Sequence, residues 1–214
     1  MPGTDVTMGE AMDSFAMGAL IGLDSNSARI ASNRARMTSA TRRRYGELDR
    51  AQVVSSLHGL ARRVGVQRVT MRDLAAELGS AVPSVYYHVP GKQAALDLLA
   101  ETVLSDIPAP SDGPWDARII ELYCAAREVM LEVPGLVNVL QTSGGGEAAG
   151  RLDKLSRSLL AEAGVSKSVV TTAHTLLYTY LLGSVGLEEL RGKRQTTARF
   201  RAGLEVIIAG VKAS

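Results

Sequence analysis

The sequence lacks several features that would assign it to a function class at once. Its 214 residues contain a single cysteine, Cys124, so no intrachain disulfide can form. That usage fits a reducing compartment, and we expect Cys124 to be a small core residue of a helix. No apolar run approaches the ~18 residues of a membrane span. The first 28 residues carry four acids and no base, unlike a secretory signal. These absences predict a soluble, cytoplasmic protein.

The signatures of common catalytic and metal sites are also missing. The sequence contains neither a Gly-x-Ser-x-Gly motif nor a phosphate-binding loop, because no Lys-Ser or Lys-Thr pair follows the glycines at 144–146. His58, His88 and His174 are scattered, without metal-ligand spacing to the single cysteine. We therefore expect no enzyme activity, no bound metal and no cofactor.

Positive charge is concentrated in one part of the chain. Residues 29–92 hold twelve Lys or Arg and four acids, whereas residues 93–214 hold twelve bases and fourteen acids. A basic segment joined to a nearly neutral one favours a polyanion-binding part next to a different part. By itself, such a charge run also fits a solvated face.

The spacing of apolar residues predicts an all-α protein, since no segment alternates as a strand would. Glycine and proline breaks divide the chain into a disordered or basic N-terminal arm over 1–44, a first helical domain over 45–106 and a second helical domain over 114–214. The predicted helices cover about 49–64, 70–78, 82–88, 92–106, 116–132, 134–141, 147–163, 167–190 and 196–212.

Two of these helices are short and lie next to each other. Thr70 is an N-cap residue with Asp73 three positions later, and Gly79 can take the positive φ that a sharp helix end needs. A second short helix, Val82–His88, follows at once and tolerates Pro83 in its first turn. Two short helices joined by a tight turn predict a helix-turn-helix, whose second helix enters the major groove of DNA.

The segment Thr70–Leu96 also carries a family resemblance. Its pattern Leu-Ala…Leu-Gly…Pro-Ser-Val-Tyr-Tyr-His-Val…Lys…Ala-Leu resembles the DNA-binding domain of the tetracycline-repressor (TetR) family, and is most similar to the branch of the tetracycline repressor itself. The chain departs from the family pattern at Ser80 and Val82, where an apolar turn residue and a polar base-reading residue are common. The resemblance implies DNA contacts by Thr70, Arg72, Val82, Pro83, Ser84, Tyr86, Tyr87, His88 and Lys92.

Several of these residues have more than one reading. Arg72 could reach a guanine edge or a phosphate, and Lys92 matches a phosphate-binding lysine of the family. Tyr86 either packs between helices or turns its hydroxyl towards a phosphate. His88 either caps and packs or touches DNA.

The C-terminal helices suggest a dimer and a ligand site. Residues 168–190 and the last helix are apolar on more sides than one core requires, which predicts a four-helix interface between two copies. An apolar pocket with a few polar groups is the usual form of a ligand site. Candidate lining residues are Trp115, Tyr123, Met130, Gln141, His174 and Tyr178, although a lone histidine such as His174 also fits a core position.

Together these features predict a ligand-responsive transcriptional regulator. The expected partners are double-stranded operator DNA, a small-molecule effector and a second copy of the chain, with no membrane. We expect a repressor that the effector releases from its operator. The alternative is a protein-interaction module of the same fold that does not bind an operator.

Overall fold

The computed structural model describes residues 48–143 and 146–214. The expected N-terminal arm over 1–44 therefore lies outside the described residues. Within them the chain forms α-helices and one 3-10 turn, Val66–Arg68, and no strand, as the all-α prediction required. The helices are α1 (Arg50–Val64), α2 (Met71–Glu77), α3 (Val82–His88), α4 (Lys92–Ser105), α5 (Trp115–Leu131), α6 (Leu136–Ser143), α7 (Gly146–Ala161), α8 (Lys167–Arg191) and α9 (Thr197–Lys212).

Helices α1 to α3 pack around an apolar core. Leu57 on α1, Leu74 on α2 and Val85 on α3 are each completely shielded from solvent. Asp49 caps α1, because its side chain accepts a hydrogen bond from the backbone N–H of Ala51. Burial of one apolar face of each helix holds the three together.

Helix α4 connects this small bundle to the rest of the chain. It packs against α1 on one side and against α6 and α7 on the other. Its Glu101 carboxylate accepts a hydrogen bond from the backbone N–H of Ala148, 3.0 Å away in the first turn of α7. A carboxylate at that position offsets the unpaired N–H groups and positive dipole of the helix start. A shift of α4 would therefore disturb the N-terminus of α7.

Helices α5 to α9 form a second packed group around α5 and α8. Cys124 is buried on α5 as predicted, and burial raises the pKa of its thiol. Arg127 on α5 is also buried and makes a two-pronged ion pair with Glu188 on α8, with Nε···Oε1 and Nη2···Oε2 distances of 2.9 and 2.6 Å. None of the described helices is long and apolar enough to cross a membrane.

Candidate nucleic-acid interface and ligand cavity

The start of α2 and the turn after it form as the sequence predicted. The Thr70 hydroxyl oxygen accepts from the backbone N–H of Asp73 at 3.1 Å, and its proton goes to the Asp73 carboxylate at 2.6 Å. Gly79 has φ of 59°. The N–H groups of Gly79 and Ser80 donate to the carbonyls of Ala76 and Ala75. This pairing is a Schellman motif, which ends α2 and turns the chain into α3.

The short helix α3 is fixed from one side only. Val85 packs into the core between α1 and α2, whereas Tyr87 is 85% exposed and Tyr86 47% exposed. Tyr86 therefore does not pack fully between helices, and its ring is available to a partner. The His88 ring is half-buried and meets the edge of the Tyr87 ring, with centroids 5.3 Å apart.

The nine residues implied as DNA contacts fall into two groups by exposure. The exposed ones are Thr70, Arg72, Pro83, Tyr86, Tyr87 and Lys92, and the half-buried ones are Val82, Ser84 and His88. Val82 packs partly against the core, so only part of its apolar surface is open. The Lys92 ammonium donates to the backbone carbonyl of Gln67 at 3.2 Å, which holds it at the start of α4.

This face offers the groups that nucleic acids need. Guanidinium, ammonium and hydroxyl groups donate to phosphate oxygens, and an arginine fork can also pair with a guanine edge. Arg63, next to the face, pairs with Glu77 at 2.7 Å and braces α1 against α2. Arg72 has no such carboxylate partner among the described ion pairs. The arrangement fits binding of a duplex by an exposed α3.

A cavity of about 430 Å³ lies in the second group of helices. Its walls come from α5, α6, α7 and α8, and from the C-terminal end of α4 through Leu104 and from Ile107 just after it. The volume is within the ~300–1,000 Å³ of typical small-molecule sites. Helix α4, which follows α3 in the chain and packs against α1, therefore forms part of the cavity wall at its C-terminal end.

Four of the six candidate lining residues border this cavity: Tyr123, Met130, His174 and Tyr178. Trp115 and Gln141 do not. Trp115 lies at the start of α5 with the Lys212 ammonium 6.0 Å from its ring centre. Gln141 is exposed on α6, because the buried face of that helix is formed by Val137, Val139 and Leu140.

Comparison with known proteins places the chain in a family. The sequence profile of the tetracyclin repressor-like, C-terminal domain matches residues 107–199. The chain is 28% identical over 185 residues to Tetracycline repressor protein class C of Escherichia coli, covering 77% of this chain and 83% of that protein. The chain belongs to the tetracycline-repressor (TetR) family. The profile match starts just after α4 and reaches into α9, so it covers every residue that lines the cavity except Leu104.

Two further relatives of this TetR-family chain are informative. An HTH-type transcriptional regulator of Saccharopolyspora erythraea is 31% identical over 147 residues, which cover 67% of this chain and only 62% of that protein. The structure of BioQ with its double-stranded DNA operator is 26% identical with a TM-score of 0.69, and the match covers 78% of this chain and 100% of BioQ.

Sequence reasoning missed three polar residues of the TetR-family cavity, Asp153, Lys154 and Ser156 on α7. The Ser156 hydroxyl lies 3.0 Å from the Tyr123 hydroxyl and 3.1 Å from His174 Nδ1. His174 Nε2 lies 2.8 Å from the Asp153 carboxylate. A serine that interrupts the apolar stripe of Leu152, Leu155 and Leu159 was a usable signal. Among the residues described, no group of three or more His, Cys, Asp or Glu could hold a metal ion.

Proposed function

We propose that this chain is a DNA-binding transcriptional regulator that responds to a small molecule, and that it represses until the ligand releases it from its operator. One observation carries the proposal. The helix α4 begins beside the exposed helix-turn-helix and ends in the wall of a ligand-sized cavity. Two relatives, a tetracycline repressor and an HTH-type transcriptional regulator, support the same function.

DNA binding would use the exposed face of α2 and α3. Arg72, Ser84, Tyr86, Tyr87 and Lys92 would contact the duplex, with phosphate contacts setting the position and base contacts the specificity. Support comes from the exposure of these side chains, of which only Ser84 is half-buried, and from BioQ, a protein of similar structure that was solved with its DNA operator. Such binding would place the protein in the compartment that holds the DNA, the cytoplasm, and would assign it a regulatory rather than an enzymatic role.

Dimerisation would use α8 and α9. Leu176, Leu187 and Leu190 lie along one face of α8, and Val206 lies on α9; they are between 48% and 82% exposed. Large exposed apolar side chains repeated along one helix face favour an interaction surface, and two helices from each copy would make a four-helix interface. A dimer would present two α3 helices to half-sites about one helical turn apart.

The test is selection of duplexes from a random pool by the full chain, followed by DNase footprinting of the selected sequence. We expect protection of two half-sites, with binding that weakens steeply as salt rises. Arg72→Ala should weaken protection, whereas Arg151→Ala, an exposed arginine on α7, should not. Protein that enriches no sequence and protects no duplex at low salt would overturn the proposal.

The oligomer is tested separately by light scattering. Leu190→Glu would place a charge in the proposed interface, and we expect a monomer or a much weaker dimer. Ser158→Glu, an exposed position on α7 outside the proposed interface, should leave the mass unchanged. A wild-type mass of one chain at micromolar concentration would contradict the dimer.

A further inference from the structure

One wall of the cavity carries a continuous series of polar side chains. It runs from Tyr123 on α5 through Ser156 on α7 to His174 on α8 and back to Asp153 on α7, with successive distances of 3.0, 3.1 and 2.8 Å. The rest of the wall is mostly apolar, with Leu104, Leu122, Ala126, Met130, Leu140, Leu181 and Leu182 among its residues. A ligand that enters meets this polar wall on one side and mostly hydrocarbon on the others, where Lys154 and Tyr178 carry the remaining polar side-chain groups.

The donor and acceptor of each hydrogen bond in this wall can be derived by starting from Asp153, the last residue of the series. The Asp153 carboxylate also accepts from Arg157 Nε at 3.0 Å, so it can only accept from His174 Nε2. Burial lowers the pKa of the His174 ring and the Arg157 charge lowers it further, against the opposing effect of Asp153, so the ring is neutral near pH 7. Nδ1 of the neutral ring must then accept a hydrogen bond, and the Ser156 hydroxyl donates it.

The same argument gives the direction of the remaining hydrogen bond, between Tyr123 and Ser156. Since the Ser156 proton is used by His174, the Tyr123 hydroxyl must donate to Ser156 Oγ. Burial raises the pKa of Tyr123 to about 12, so this hydroxyl keeps its proton at neutral pH. The hydroxyl protons of Tyr123 and Ser156 and the Nε2 proton of His174 are therefore all used in hydrogen bonds within the wall. The oxygens of Tyr123 and Ser156 still have lone pairs that can accept a further hydrogen bond.

The charged residues of the lining further restrict the chemical class of the ligand. Only Asp153 and Lys154 of the lining residues are charged. Lys154 is exposed, and Asp153 already has Arg157 and His174 as partners. A charged ligand group placed among the leucines would be buried without a counter-ion, which is costly.

We propose that the cavity selects a neutral, largely apolar ligand that donates a hydrogen bond, through a hydroxyl or N–H group, to the oxygens of Tyr123 and Ser156. An ether or ketone in the same place would find acceptors and no free proton, and a buried acceptor left unpaired lowers affinity. This inference deepens the proposed function and rests on it for the view that the bound molecule is an effector.

Three naphthalene probes test the selection on the full-length chain, by calorimetry or ligand-observed NMR near pH 7. 2-Naphthol is a neutral donor, 2-methoxynaphthalene keeps the oxygen without the proton, and 2-naphthoate is an anion. We expect 2-naphthol to bind about tenfold more tightly than either of the others, the effect of one net hydrogen bond. Equal or tighter binding of the ether or the anion, or no binding of 2-naphthol up to its solubility limit, would overturn the proposal.

Two serine variants test whether the preference for 2-naphthol arises at this wall. Ser156→Ala frees the Tyr123 proton for an ether oxygen, so the advantage of 2-naphthol over 2-methoxynaphthalene should shrink to about twofold or less. Ser184→Ala removes a buried serine of α8 that is not part of the lining, and should keep the full preference. An undiminished preference in Ser156→Ala would contradict the assignment.

The probe experiment and the footprint can fail separately. A normal footprint with no preference among probes rejects only the ligand class. A clear preference for 2-naphthol in protein that protects no duplex rejects the proposed function and leaves the cavity chemistry standing.

Discussion

The small bundle of α1 to α3 and the larger group of α5 to α9 place their polar side chains differently. In the small bundle the core is apolar, and groups such as Arg72 and Tyr87 lie on the outside. In the larger group Arg127, Ser156, His174, Ser184 and Glu188 are buried among apolar residues. All the polar side chains that count as buried in the described residues belong to this second group.

This difference indicates where each region meets its partner. Exposed donors on a rigid apolar bundle suit a large partner that approaches from outside, such as a duplex. Buried polar groups must satisfy one another, and they define a cavity whose chemistry is set from within. The two regions meet through α4, through the Arg62–Glu132 ion pair and through the hydrogen bond from the Val66 N–H to the Pro134 carbonyl. Of these, α4 is the element that reaches the cavity wall, which makes it the route between the two sites.

The largest expected effect comes from breaking the buried ion pair. Glu188→Ala removes the one buried carboxylate that pairs with the buried Arg127 guanidinium and leaves it the half-exposed Glu128 carboxylate and the Gln195 carbonyl. We expect a loss of about 3–5 kcal/mol in the free energy of unfolding. Glu132→Ala, which breaks the exposed pair with Arg62, should cost about 0–1 kcal/mol. Urea unfolding of both variants measures the contrast, and similar losses in the two would refute it.

The second-largest loss of stability should come from disturbing a close contact between α8 and α9. The Tyr180 ring stacks on Phe200 and its hydroxyl donates to the Phe200 carbonyl at 3.2 Å. A Cβ atom on Gly203 would collide with this ring, so Gly203→Ala should cost about 1–3 kcal/mol.

The matched control is Gly150→Ala on α7, where a Cβ atom meets no neighbour within 4 Å. There the better helix propensity of alanine should stabilise the protein by up to ~1 kcal/mol. Thermal unfolding should thus shift in opposite directions for the two substitutions, and a shift in the same direction would show that the Tyr180 contact does not matter.

In the small bundle, loss of the Thr70 cap should lower the free energy of unfolding by a moderate amount. Thr70→Ala removes the side-chain cap of α2 and should cost about 1 kcal/mol, while Thr70→Ser keeps the hydroxyl and should cost less. Hydrogen exchange of the α2 amides reads out the loss locally. Unchanged exchange in Thr70→Ala would mean that packing alone holds this helix.

The smallest effect should be a pH dependence that arises in the cavity wall. Burial holds the pKa of His174 in the folded chain below the ordinary histidine value of 6.5, so the unfolded chain takes up the proton first as pH falls. This contribution to stability is complete above about pH 6.5 and is lost as pH falls towards the folded pKa.

The groups that face the His174 ring are Asp153, Arg157, Ser156, Tyr123 and Tyr178. Burial raises the pKa of Glu188, but hydrogen bonds from Arg127 and Gln195 outweigh burial and the net pKa lies below 4.5, so its loss comes at lower pH. Unfolding at pH 7.5 and 5.5 should therefore show a smaller difference in His174→Gln than in the wild type. An equal difference would exclude His174 as the source.

The sequence allowed prediction of features that depend on neighbouring residues. The Thr70 cap, the turn at Gly79 and the bounds of α3 follow from short-range rules and agree with the structure. Other helix ends shift by one or two residues, as at α5, which begins at Trp115 rather than Asp116. Local capping and turn chemistry fix these features before any distant contact forms.

Features that depend on distant residues escaped prediction. Arg127 and Glu188 are 61 positions apart, and Tyr123 and Ser156 are 33 apart, so no local pattern joins them. Gln141 was expected in the cavity, but the rotation of α6 that exposes it is set by packing against α4 and α8. Helix rotation and long-range pairing are tertiary properties that a one-dimensional pattern leaves open.

The salt dependence of operator affinity tests most directly whether the exposed face of α2 and α3 binds DNA. On a duplex selected by the wild type, log affinity against log salt should fall steeply. Lys92→Ala should reduce that slope by about one, while Arg151→Ala should leave it unchanged. Equal slopes for Lys92→Ala and the wild type, or an affinity that salt does not change, would contradict the account.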